Sequence, residues 1–196
     1  VEHISAYHLT YEKGTRIYEM LQSHRISEVD EESSVRFFSA LMDTLGAAGY
    51  EHYEISNFCK PGMYSRHNTA YWKGIPYLGC GPSAHSYNGV SRQWNVASLD
   101  TYIKGISAGT PVFEIEELDL YTRYNDFVIT RIRTEWGMPL SKLRDEFGEK
   151  LYDYCLRMAA PHLKQGTLEL VNDILKLTRK GIFISDGIMS DMLWTD

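Results

Sequence analysis

Residues 65–72, SRHNTAYW, bring an imidazole, a guanidinium, a carboxamide, a phenol and an indole together. A histidine between an arginine and an asparagine, in so polar a run, is expected in a surface loop rather than a core. The neutral imidazole of His67 is a good axial ligand for haem iron, and flanking rings such as Tyr71 and Trp72 can stack on a porphyrin face. The plainer alternative is a loop histidine bonded to backbone, with Tyr71 or Trp72 plugging the loop onto a sheet. Arg66, Lys73 and Arg92 carry the charge to meet carboxylates such as porphyrin propionates. Each taken singly reads equally as a solvated surface cation.

A second cluster follows at residues 78–86, LGCGPSAHS. Gly79 and Gly81 lack the third glycine of the dinucleotide fingerprint, which also needs a strand-to-helix turn. Glycines inside a strand pattern indicate instead a bulge or a close approach of backbone. His85 either faces the same ligand or satisfies the sheet rim. Ser83 and His85 have no third member for a hydrolytic triad, and no GxSxG elbow is present, so no residue is assigned a catalytic role. Cys80 reads as a small buried apolar residue. His8, Glu12 and Glu54 lie near strand ends at spacings that define no acid–base pair.

A net charge of −6 argues against a nucleic-acid partner, because phosphate binding needs a clustered excess of Lys and Arg. The three cysteines, Cys59, Cys80 and Cys155, are widely spaced and form no CxxC pair. Reduced thiols in a cytoplasmic protein are therefore expected, rather than a disulfide framework or a thiolate metal site. No apolar run approaches the roughly 20 residues of a membrane span. The first residue is Val1, and a strand pattern begins at once; the sequence reads as a piece of a longer protein.

The elements that must position these groups follow from periodicity. Residues 3–11, HISAYHLTY, alternate as a strand with both faces partly apolar, Ile4 and Ala6 on one side and Tyr7 and Leu9 on the other. Thr15 is placed to cap a short helix to Gln22. Residues 30–48 form the strongest helical pattern, Val35, Phe38, Leu41, Met42 and Leu45 making one stripe, with Asp30 or Ser33 as cap and Gly49 as stop. A strand at 50–56 completes a strand–helix–strand unit, predicted parallel. Ligands in such folds gather at the carboxyl ends of strands, which is where the polar loop begins. Strands at 77–87 and 91–96 complete the sheet edge, and Ser98 caps a helix to Ala108. Beyond residue 113 the pattern predicts a helix over 114–133, with Leu120, Tyr124, Phe127, Val128 and Arg131 on one face. A break at Gly137–Pro139, helices at 140–147 and 150–163, a hairpin turning at Asn172-Asp173 and a last helix capped by Thr178 follow. Helices followed by a hairpin point to a winged-helix-like domain, so two domains, 1–113 and 114–196, are expected. An unpaired edge strand at 3–11 would invite dimerisation.

The motif series HISAYHLTYEKGT, YEISNF, KPG, SRHNTAYWKG, YLGCGPSAHSY and RQWN is similar to that of the oxygen-independent coproporphyrinogen III oxidase-like radical-SAM proteins. It most resembles their HemW branch, whose members are regarded as haem chaperones. The HNxxYW motif of that branch stands here as His67, Asn68, Tyr71 and Trp72. The resemblance implies an α/β fold: the C-terminal part of a partial (β/α) barrel, followed by a helical, winged-helix-like domain. It also implies S-adenosylmethionine and a 4Fe-4S cluster in the intact protein, although the CxxxCxxC cluster motif is absent from this sequence. His67 is then the implied ligand of haem iron, with Asn68, Tyr71 and Trp72 around the haem. Thr10, Gly79, Gly81 and His85 fall at cofactor-contacting positions. Haem-acceptor proteins are the implied partners. A coproporphyrinogen III dehydrogenase acting through a 5′-deoxyadenosyl radical, or a winged-helix regulatory module, would be the alternatives.

Overall fold

A computed structural model describes residues 1–195. The chain divides into two compact units between Tyr64 and Ser65. The first contains β1 (His3–Ser5), α1 (Arg16–Gln22), α2 (Glu31–Ala47), β2 (Glu51–Glu54) and β3 (Asn57–Cys59). Both helices begin where a side chain can take an orphan amide: Thr15 accepts from Tyr18 N, and Asp30 from Ser33 N. The hydrogen bond to Ser33 holds the exposed Asp30 carboxyl below the usual carboxylate range.

The sheet of this unit differs from the expected parallel pair. Its order is β1-β3-β2, with β3 antiparallel to both neighbours, so β1 and β2 run parallel but do not touch. The predicted strand 50–56 is a tight hairpin instead. Glu54, 2% exposed, accepts from Ser56 N and from Asn57 Nδ2, and this closes the turn without a glycine. Asn57 Oδ1 then accepts from Ser5 Oγ at 2.7 Å, tying β1 to the same point. Tyr53, Phe58 and Cys59 fill the core of the unit, at 1% exposure or less. The predicted strand 3–11 shrinks to His3–Ser5, because only those residues find ladder partners on β3. So short an edge removes the basis for the expected dimer.

The second unit carries α3 (Arg66–Trp72), β4 (His85–Tyr87), β5 (Ser91–Asn95), α4 (Leu99–Ser107) and β6 (Phe113–Glu117). Strands β4, β5 and β6 form a separate antiparallel sheet in that order. The predicted helix over 114–133 is corrected here: its first residues form β6, and the helix, α5, runs only from Leu120 to Ile132, capped by Asp119. Arg92 on β5 faces Glu116 on β6 across the ladder, at 3.9 Å, so an acidic run becomes a strand by pairing with a cation. The predicted strand 77–87 reduces to β4, preceded by an isolated bridge between Tyr77 and Tyr87.

The rest of this unit adds β7 (Met138–Pro139), α6 (Leu140–Gln165), β8 (Leu168–Val171), β9 (Ile174–Leu177), α7 (Arg179–Ile182) and α8 (Ser185–Met192), with α5 packed on β7, α6, β9 and α8. The two predicted helices at 140–147 and 150–163 are the halves of α6, separated at Gly148, whose φ of 79° interrupts the helix. The hairpin β8–β9 turns at Asn172 and Asp173, both at positive φ as a two-residue turn requires. Strands order as β7-β9-β8. Tyr124, Val128, Ile132, Leu143, Cys155 and Ile188 are fully buried in the core. No described helix is long and apolar enough to cross a membrane.

Candidate functional site

The polar motif is helical, not a loop. Ser65 accepts a hydrogen bond from Asn68 N, and this cap starts α3. One turn of helix separates His67 from Tyr71, so their side chains meet. The Tyr71 hydroxyl lies 2.9 Å from His67 Nε2, and the rings stand edge to face with centroids 4.9 Å apart. His67 is exposed, as expected, while Tyr71 and Trp72 are half-buried. His67 Nδ1 takes part in no hydrogen bond among the described residues.

Tyr71 and Trp72 face different neighbours. Tyr71 packs edge to face on Tyr77 at 4.7 Å, and Tyr77 leads on to Tyr87 at 6.2 Å. Trp72 lies under the Arg133 guanidinium, 4.5 Å from its ring centroid. The Trp72 Nε1 is buried and has no hydrogen-bond partner among the described residues. Lys73 closes the helix, and its carbonyl accepts from the Arg131 guanidinium at 3.1 Å. Arg66 is exposed.

The glycine segment is occupied by its own chain. A Cβ at Gly79 would overlap the His85 backbone, so the close approach expected at this glycine is made by β4. Gly79 N donates to Ser86 Oγ. Asn95 Nδ2 donates to the carbonyls of Gly79 and Gly81 at 3.3 and 3.0 Å, and Gly81 N donates to Tyr102 Oη. Asn95 and Tyr102 were not singled out by sequence, since each acts from another element. His85 is exposed and tilts over Trp94 at 5.9 Å. Cys80 is also exposed, which corrects the expectation of a buried residue: Gly79 takes the packed position beside it. Thr10 lies in the first unit, on a cavity of about 600 Å³ lined also by Tyr7, His8, Phe37, Phe38 and Leu41. His8 Nδ1 there pairs with Ser34 Oγ at 3.2 Å.

In the second unit Tyr71, Tyr77 and Tyr87 border a cavity of about 400 Å³, floored by Phe127 and Phe147. Lys73 and Arg92 open on it, as do three cations that sequence reasoning missed: Arg123, Arg131 and Lys142. Burial pushes the phenols of Tyr77 and Tyr87 above their ordinary value, so both remain neutral donors. Arg92 is desolvated, but its hydrogen bond to Asp126 and the charges of Asp126 and Glu116 more than compensate and hold its proton. Among the described residues no group of three or more His, Cys, Asp or Glu could hold a metal ion.

Fold and family model agree on a class. Residues 118–184 match the HemN C-terminal domain. The fold is similar to part of a solved structure titled "Coproporphyrinogen III oxidase (HemN) from Escherichia coli is a Radical SAM enzyme", with a TM-score of 0.70, 16% identity, and 97% of this chain covering 48% of that one. By sequence the chain is also similar to longer proteins named HemW. It is 33% identical over 194 residues to "Heme chaperone HemW" of Mycobacterium tuberculosis, covering 98% of this chain and 48% of the relative. The protein of the same name in Bacillus subtilis is 28% identical over 98% of this chain and 51% of its own. "Radical S-adenosyl methionine domain-containing protein 1, mitochondrial" of Bos taurus is 27% identical over 98% of this chain and 46% of its own. The chain spans about half the length of these relatives.

Proposed function

We propose that this chain is the haem-handling part of a HemW-like radical-SAM protein, and that α3 presents His67 to the iron of haem as cargo. The observation that carries this reading is the His67–Tyr71 pair, on an exposed helix within the HNxxYW motif. Tyr71 orients the ring, and with Nε2–H donated to the Tyr71 hydroxyl oxygen Nδ1 would keep the lone pair that iron needs. Asn68 and Trp72 flank it on the same short helix. Handing haem on to acceptor proteins would be the task of the intact molecule, in the cytoplasm.

Residues 1–113 would belong to a partial (β/α) barrel and its extension strands, and residues 114–196 to a helical, winged-helix-like domain. Thr10, Gly79, Gly81 and His85 would face the S-adenosylmethionine cavity of the intact protein. The cysteines present do not suit a 4Fe-4S cluster, since Cys59 and Cys155 are buried and only Cys80 is exposed. Cluster chemistry would require ligands from elsewhere, and no step is assigned through it.

Haem titration of the protein, followed in the Soret band, tests the assignment. Wild type should bind with a shifted band, and His67→Ala should lose affinity and alter the spectrum. An unchanged titration in that variant removes His67 from the site. A second reading, coproporphyrinogen III dehydrogenase, is favoured by the likeness to HemN, and anaerobic consumption of coproporphyrinogen III by reconstituted protein would support it. A winged-helix interaction module is disfavoured by the net charge of −6, and DNA retention falling steeply with salt would revive it.

A further inference from the structure

The cavity behind Tyr71 has a charge balance opposite to that of the whole chain. Lys73, Arg92, Arg123, Arg131 and Lys142 line it, against Asp126 and Glu146 alone. Both carboxylates are already engaged: Asp126 with Arg92, and Glu146 with Lys142 at 3.4 Å. Arg123 and Arg131 are left with no carboxylate at ion-pair distance among the described residues. Arg131 donates through Nη2 to the Lys73 carbonyl, but the Nε atoms of both arginines are buried with no hydrogen-bond partner among the described residues. Buried polar groups of this kind are normally satisfied, and an unsatisfied donor on a charged group costs more than one on a neutral group. Burial lowers the Arg131 pKa below its ordinary value, and the charge of Glu146 offsets this only in part.

The remaining walls define the ligand further. Phe127 and Phe147, at 7% and 8% exposure, form an apolar floor, and the Arg131 guanidinium lies 5.3 Å from the Phe127 ring centroid. Tyr77 and Tyr87 add neutral hydroxyls. A bare phosphate would leave that aromatic floor unused. At about 400 Å³ the cavity holds a small organic group or the edge of a larger one.

We propose that this cavity receives the carboxylate of an aromatic ligand, with the Arg123 and Arg131 guanidinium groups as its receptors. For the ligand's identity this rests on the haem reading: Tyr71 joins the cavity wall to His67, so the carboxylate is a propionate on the porphyrin edge.

Titrating the full chain with haem and with haem dimethyl ester separates the two ideas. Wild type should prefer the diacid by about tenfold or more, the size of a charged hydrogen bond. The Arg123→Gln variant, which spares the Arg131 bond to α3, should lose most of that preference while keeping ester affinity and Soret position. The lysine variant, Arg123→Lys, should retain more of it, and circular dichroism checks that each variant is folded. His67→Ala should change the Soret band and leave the preference intact. An equal preference in wild type and the glutamine variant overturns the cavity assignment. If wild type binds neither porphyrin, the haem reading fails by itself. The cavity is then judged by isophthalate, which should raise the melting temperature of wild type and not of the glutamine variant. No rise, or an equal rise with inorganic phosphate, overturns it.

Discussion

The Tyr71 hydroxyl stands 2.9 Å from Nε2 of His67, one turn away on α3. This makes the phenol the group that orients the plane of the imidazole. Under the haem reading, Tyr71→Phe should keep the fold, because the ring still packs on Tyr77, and should weaken haem binding by about 10-fold, the lower end of outer-sphere effects on metal affinity. Haem titration of the variant beside wild type decides it; an unchanged dissociation constant would make the hydrogen bond incidental.

Tyr124 illustrates a core dependence. Its side chain is fully buried, and its hydroxyl donates to the Met192 carbonyl at 3.1 Å, joining α5 to the end of α8. Tyr124→Phe strands that carbonyl and should cost about 1–3 kcal/mol in urea unfolding. A midpoint equal to wild type would show that water reaches the carbonyl.

The three cysteines should react unequally. Cys59 and Cys155 are buried, and burial pushes the Cys155 thiol up to about 11. Cys80 is exposed. Iodoacetamide at neutral pH should therefore add one equivalent to the native protein, at Cys80, and three in denaturant, as read by mass spectrometry. Rapid native labelling of Cys155 would contradict the packing of α5 on α6.

Acid should loosen the helix caps. The Asp119 carboxylate accepts from Thr122 N, chiefly through that bond its pKa is lowered, and Asp30 behaves alike through Ser33. A depressed folded pKa stabilises above the unfolded value, and that contribution is lost as pH falls through the folded one. Asp119→Asn keeps an N-cap without a charge. The acid limb of its melting-temperature curve should be flatter than that of wild type; an identical limb would rule out Asp119 as a contributor.

Local rules made much of this fold legible. Thr15, Asp30, Ser98 and Thr178 each cap a helix as their positions predict, because the hydrogen bond spans only three residues. The Asn172-Asp173 hairpin was legible for the same reason. What escaped depended on distant partners. Residues 114–117 read as helix until Arg92 lies opposite Glu116, and the 50–56 strand hides a hairpin that Glu54 closes. At the candidate site the motif residues were visible, but not their helix, since Asn, Thr and aromatic residues are indifferent helix formers. Arg123 and Arg131 were invisible as a pair facing Tyr71, because only folding brings α5 to that cavity.

The shortness of α3 has a kinetic consequence. Seven residues cannot sustain a helix in water, so α3 depends on tertiary contacts such as Tyr71 on Tyr77, Trp72 beneath Arg133, and the Arg131 bond to its C-cap carbonyl. Its amides should exchange with solvent deuterium well before those of α5, by local opening rather than global unfolding. A ligand seated on His67 and Arg131 together would clamp both ends of that opening, and the slowed exchange at residues 69–73 would record the occupancy of the site without any chromophore.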